Sequence, residues 1–177
     1  QFAVEQGSVS DTESPTIESF SLGSLTLDPS QHGGAFLSAS LSFSDNLSGF
    51  DYGYLSFSSA SGQSRSLYLS SSSLEGSRLS GNVYASQLID PYTAAGTWSL
   101  NSVELRDKAG NSLYKSAGSS DWSSFLTSSG ITQTSFTVAY GNNPPPGTGP
   151  DSLAPTIESF SLNSHILDAS APGGAFL

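Results

Sequence analysis

Between Ala35 and Ser44 the chain reads AFLSASLSFS, with apolar and polar residues alternating almost without a break. Leu37, Ala39, Leu41 and Phe43 fall on one face and Ser38, Ser40, Ser42 and Ser44 on the other. A period of two predicts a half-buried strand. The alternation returns in YLSFS (Leu55, Phe57), SLYLS (Leu67, Leu69), LSGNVYA (Leu79, Val83, Ala85) and SFTVAY (Phe136, Val138, Tyr140). GTWSLNSVELRD places Trp98 and Leu100 on one face and continues one position out of phase with Val103 and Leu105. That change of phase predicts a bulge near Asn101. Gly, Asp, Asn and Pro separate the runs at the spacing of sandwich domains. The expected fold is all-β, an antiparallel two-sheet sandwich of seven to nine strands.

One stretch breaks the period. SSDWSSFLTSSG, from Ser119 to Gly130, offers Asp121 or Ser120 as a cap, Trp122, Phe125 and Leu126 at helical spacing, and a closing glycine. It reads either as a short helix plugging one end of the sandwich or as a loop with a buried tryptophan.

A longer pattern organises the whole chain. Asp11 to Leu37 lies over Asp151 to Leu177 at a constant offset of 140, and 18 of the 27 positions are identical, including PTIESFSL, Leu27-Asp28 with Leu167-Asp168, and GGAFL. A period this long is domain-sized, which predicts a tandem array of whole modules and a chain that is a window on a longer protein. QFAV at residues 1–4 resembles the closing SFTVAY, so residues 1–10 read as the last strand and linker of a preceding module. Residues 11–140 make one complete module, 141–150 (GNNPPPGTGP) a semi-rigid spacer, and 151–177 the opening strands of a second copy. Those strands lack the partners that would cover Ile157, Phe160, Leu162, Phe176 and Leu177. Either they exchange with the matching strand of a neighbouring copy, giving head-to-tail fibres, or the chain simply stops within a repeat.

Charge and composition narrow the partners. Net charge is −10 with five basic residues, which disfavours nucleic acid and anionic membrane surfaces. The chain has no cysteine, so disulfides, thiolate metal sites and thiol nucleophiles are excluded together. No run approaches the roughly 18 apolar residues needed to cross a bilayer as a helix, and no signal peptide is visible. Any targeting signal would lie outside this window, and secretion to a bacterial cell surface or the medium fits. The 41 serines read as the solvated faces of many strands.

At this point the residues carry a resemblance. The opening D-x-x-S/A-P-T-I, SDNLSGF at Ser44 to Phe50 and GTWSLNSVELRDKAGN at Gly96 to Asn111 resemble the bacterial immunoglobulin-like modules that repeat in giant secreted adhesins and related surface proteins. The resemblance covers the whole complete module. It implies an immunoglobulin-like sandwich, a structural or adhesive role outside the cell, and calcium as a stiffening ion.

The chemistry of those motifs can be argued separately. In an immunoglobulin-like topology the chain entrance and the two loops carrying these motifs share one pole. That would gather Asp11 and Glu13, then Asp45, Asn46 and Asp51, then Asp107 and Asn111, with Arg106 and Lys108 as the nearby cations. Two carboxylates about 6 Å apart repel by roughly 3 kcal/mol at an effective dielectric near 20, so five of them call for a counter-ion. Ca²⁺ takes oxygen ligands of these kinds. The same residues also read as turns without a metal, since Asp and Asn bond their own backbone. No EF-hand loop or calcium β-roll nonapeptide occurs.

Catalysis finds little support. His32 aligns with Pro172 and His165 with Leu25, so neither histidine recurs in the repeat, and no GxSxG elbow is present. The module is expected not to be an enzyme. An alternative function is carbohydrate binding: Tyr52 and Tyr54 lie opposite Leu55 and Phe57, Tyr68 and Tyr84 could join them, and exposed rings stack on sugars. The competing reading is a cross-strand aromatic ladder that only stabilises the sheet.

Overall fold

A computed structural model of the chain describes residues 10–141 and Ser159. The expected strand at residues 1–4, most of the proline-rich spacer and the opening strands of the second repeat lie outside the described residues. Ten strands and one helix follow in order: β1 (Thr16–Leu22), β2 (Thr26–Leu27), β3 (Ala35–Ser44), β4 (Phe50–Ser59), β5 (Ser64–Ser70), β6 (Leu74–Gly76), β7 (Ser80–Ile89), β8 (Gly96–Asp107), β9 (Ser112–Ser116), α1 (Trp122–Ser128) and β10 (Ser135–Val138). One sheet has the order β1-β3-β7-β6; the other has β2-β10-β8-β4-β5, with β9 also on β8. All pairs are antiparallel except β2 with β10. The result is an all-β, sandwich-like fold with one short helix.

Ten strands exceed the expected seven to nine because β2 and β6 are very short and one edge of the larger sheet is split. On that edge β10 pairs with Gly96–Ser99 and β9 with Ser102–Arg106, while α1 occupies the chain between them. The break falls where β8 changes phase. Ser56 faces Ser102 but Phe57 faces Leu100, leaving Asn101 as the extra residue of the expected bulge. Asn101 keeps a role there, since its carbonyl accepts the Ala117 N–H.

The alternating residues meet in one core drawn from both sheets. Leu37, Leu41 and Phe43 of β3 and Val83 of β7 face Leu55, Phe57, Leu67, Leu69, Val103 and Leu105 of the larger sheet. Trp98 is fully buried, stacked on Phe136 at 5.9 Å, and its indole N–H donates to the Ala94 carbonyl. Leu79, expected inside, is exposed, because β7 starts one residue later at Ser80. The helix expected between Ser119 and Gly130 forms and buries Phe125, and Gly130 follows it at φ 61°. Asp121 sits at its N-cap position without capping it, because its carboxylate pairs with Lys115 instead.

The end of the sandwich where β10 runs out is held by polar ties. The Tyr140 hydroxyl donates to the carbonyls of Thr93 and Pro91, and Asp28 accepts from Ser30, Gln31 and the Gly141 N–H. Hydrogen bonds from the Ser30 and Gln31 side chains are the main causes that bring Asp28 to about 2 from its ordinary 3.8. Lys115, followed by Ser119, lowers Asp121 in the same direction. A carboxylate whose folded pKa is depressed contributes stability above its unfolded pKa and loses it as pH falls through the folded one. Denaturation midpoints should therefore be level above about pH 5 and fall steadily from about pH 4 towards 2. A profile level down to pH 2 would contradict these ties.

Candidate metal centre

At the opposite pole the chain enters beside two loops. Asp11 precedes β1, Asp45 opens the loop from β3 to β4, and Asp107 ends β8. One carboxylate oxygen from each lies within 4.8 Å of the others. The loops are laced together: the Lys108 N–H donates to the Gly49 carbonyl, and the Ala109 N–H to the Ser48 hydroxyl.

Each carboxylate is aimed by its neighbours. Asp11 accepts the N–H groups of Ser48 at 2.7 Å and Glu13 at 3.2 Å. Hydrogen bonding from Ser48 is the largest cause holding Asp11 below the usual carboxylate range, against partial desolvation. Asp45 Oδ1 accepts the Leu47 and Gly49 N–H groups, at 3.1 and 2.6 Å. Asp107, only 1% exposed, takes the Gly110 and Asn111 N–H groups on Oδ1 and the Asn111 amide on Oδ2. The Asn111 amide also donates to the Asp11 carbonyl, tying the entering chain to the second loop.

One oxygen is left over. Asp45 Oδ2 is buried and has no hydrogen-bond partner among the described residues. An ionised oxygen buried without a partner is costly, and positive charge is what would relieve it. Three carboxylates at this separation repel by about 3 kcal/mol per pair at an effective dielectric near 20. No lysine or arginine forms an ion pair with any of them among the described residues. Arg106 turns to the Tyr52 hydroxyl, Arg78 donates to the Phe50 carbonyl, and Lys108 is exposed.

A carboxylate offers about four acceptor sites. Asp107 uses three, Asp11 two and Asp45 two. Capacity for a hard cation therefore remains on all three, and on Asp45 a whole oxygen, Oδ2, accepts nothing among the described residues. Oxygen-only donors of this kind suit Ca²⁺, with water or backbone carbonyls completing the shell.

Of the seven residues singled out from the sequence, the fold brings Asp11, Asp45 and Asp107 together, with Asn111 buttressing them. Glu13 and Asn46 are exposed and line an adjacent polar groove. Asp51 falls at a register shift of β4, where Phe50 faces Asp107 and Tyr52 faces Arg106, and stands outside the triad. The expected convergence of five carboxylates is thus one of three. Ser48 and Gly49 were missed, although they bind two of the three carboxylates.

Gly49 has φ +84°, a conformation that costs any other residue, and a Cβ there would lie 2.7 Å from the Arg78 Cβ and 2.9 Å from the Arg78 carbonyl oxygen. Gly49→Ala should lower stability by about 1–3 kcal/mol in urea titrations. An unchanged midpoint would show that the loop is not held in this form.

The three tyrosines Tyr52, Tyr54 and Tyr68 cluster on the outer face of the larger sheet, with ring centroids 5.2 to 6.3 Å apart. Tyr84 does not join them, because β7 belongs to the other sheet, where the Tyr84 hydroxyl donates to Glu75. No known protein family has a model that matches the chain, and no curated protein matches it.

Proposed function

We propose that residues 11–140 form an immunoglobulin-like module of a tandem array, structural or adhesive, in a secreted or surface-attached bacterial protein. In this reading a calcium ion at the N-terminal pole stiffens each module. Two features support the architecture. The orders β1-β3-β7-β6 and β2-β10-β8-β4-β5 correspond to an A-B-E-D sheet facing an A′-G-F-C-C′ sheet, the arrangement of immunoglobulin-like sandwiches. The chain enters beside Asp107, at one end of β8, and leaves after Val138, opposite Gly96 at the other. Entrance and exit at opposite poles let identical modules follow in line. The recurrence of Asp11 as Asp151 and of Asp28 as Asp168 fits the same plan.

The observation that carries the calcium reading is the buried oxygen of Asp45, unpartnered among the described residues, within a triad that no lysine or arginine among them pairs with. Asp11, Asp45 and Asp107 would hold the ion, and Asn111, Ser48 and Gly49 would hold them. Because Asp11 belongs to the entering chain and the others to two loops, a bound ion would fix the direction of that chain against the sandwich. Calorimetric titration with calcium should give one site per complete module, with Kd of about 10⁻⁴ to 10⁻³ M as for extracellular modules. Absence of binding at about 10 mM calcium would remove the ion from the account and leave the array reading standing.

A further inference from the structure

We propose that the outer face of the larger sheet binds a neutral polysaccharide, with a row of tyrosines as its stacking platform. The register across four strands sets Tyr68 of β5 beside Tyr54 of β4, Tyr54 beside Glu104 of β8, and Glu104 beside Tyr114 of β9. Tyr52 and Arg106 are neighbours in the adjoining row, and the guanidinium donates to the Tyr52 hydroxyl. Strands lie about 4.8 Å apart, so the row from Tyr68 to Tyr114 spans about 14 Å. That length accommodates a short run of sugar rings rather than one.

The chemistry of the face selects the ligand. Its outward positions on β4, β5, β8 and β9 carry tyrosine, serine, a threonine, an asparagine, one glutamate and one arginine, and no aliphatic side chain. A pyranose ring offers C–H groups to an aromatic face and hydroxyls to surrounding polar groups. Glu104 accepts from such hydroxyls and Arg106 donates to them, between rings that supply the apolar contact. The platform is also neutral in sum, one acid against one base, on a chain of net charge −10. That balance matches an uncharged polyhydroxylated partner better than a basic peptide.

Stabilisation of the sheet does not account for the whole row. Tyr54 and Tyr68 pack on each other at 5.2 Å yet stay 38% and 52% exposed. Tyr114 lies beyond Glu104, is 60% exposed, and packs on no ring among the described aromatic pairs. It is the residue a ladder would not need and a platform would use. Its side chain stands on the outer face and takes no part in the core, so truncating it disturbs no core packing.

Affinity electrophoresis of the full chain through gels containing hydroxyethylcellulose, xylan, galactomannan or laminarin tests the proposal. Retardation by at least one is expected, weakened at least tenfold by Tyr54→Ala and by Tyr114→Ala and kept by Tyr114→Phe, with both Tyr114 variants melting as the parent does. Retardation should be the same in EDTA and in calcium, since Asp107 is buried whereas Tyr54, Tyr68 and Tyr114 are exposed on the outer face. No retardation by any of the four, or retardation indifferent to Tyr114→Ala, overturns the proposal. Retardation abolished by EDTA would assign binding to the carboxylate pole instead and overturn it equally.

Discussion

Calcium should raise the stability of the module by about 2.7 kcal/mol once its free concentration is about a hundredfold above Kd, relative to the same protein in EDTA. For a domain of this size that is a rise of about 8 °C in Tm, easily read in a thermal scan. The increment arises because the folded pole offers three converging carboxylates and the unfolded chain does not. Asp45→Asn keeps an oxygen to accept the Leu47 and Gly49 N–H groups while removing one negative charge. It should therefore melt no lower than the parent in EDTA, and higher if relief of repulsion dominates, yet lose the calcium increment. Asp107→Ala should lose the increment and also fall in EDTA, because three hydrogen bonds to its carboxylate disappear. If Asp45→Asn kept the full increment, the ion would lie elsewhere.

Trp98→Ala should lower stability by about 3–5 kcal/mol in urea denaturation. The side chain is wholly enclosed, stacked on Phe136, and lies 6.0 Å beneath the Arg65 guanidinium. Arg65 is in turn held by Asp90 and Thr93, and Trp98 bonds Ala94, so the tryptophan also anchors the loop before β8. Small domains are commonly stable by about 5–15 kcal/mol, so this one change removes a large part of the total. A loss below about 1 kcal/mol would mean that the core collapses around the gap, contrary to its interleaved packing.

Periodicity made most of the fold legible. Strict alternation from Leu37 to Phe43 places Leu37, Ala39, Leu41 and Phe43 of β3 in the core, and the phase change of GTWSLNSVELRD marks the bulge at Asn101. Helical spacing of Trp122, Phe125 and Leu126 marks α1. What stayed hidden depends on relations between strands. A register shift between Phe50 and Tyr52 takes Asp51 out of the triad, and no local pattern announces such a shift. Tyr84 alternates just as Tyr54 does, and only the strand order assigns the two to different sheets. Tyr114 was within reach, since Ser112, Tyr114 and Ser116 alternate with Leu113 and Lys115, but the run is only five residues long. Ser48 and Gly49 looked like ordinary turn residues, and their role as donors to Asp11 and Asp45 follows from the close approach of loop and entering chain.

Backbone amide shifts followed by NMR during a calcium titration test the carboxylate pole most directly. The N–H groups of Ser48, Gly49, Gly110 and Asn111 donate to the triad and should report a cation held there. The account predicts that these four shift together and saturate with one midpoint, while amides near the exposed Glu75 and Asp121 scarcely move. Shifts spread over the exposed acids, or four unmoved amides at about 10 mM calcium, would contradict it.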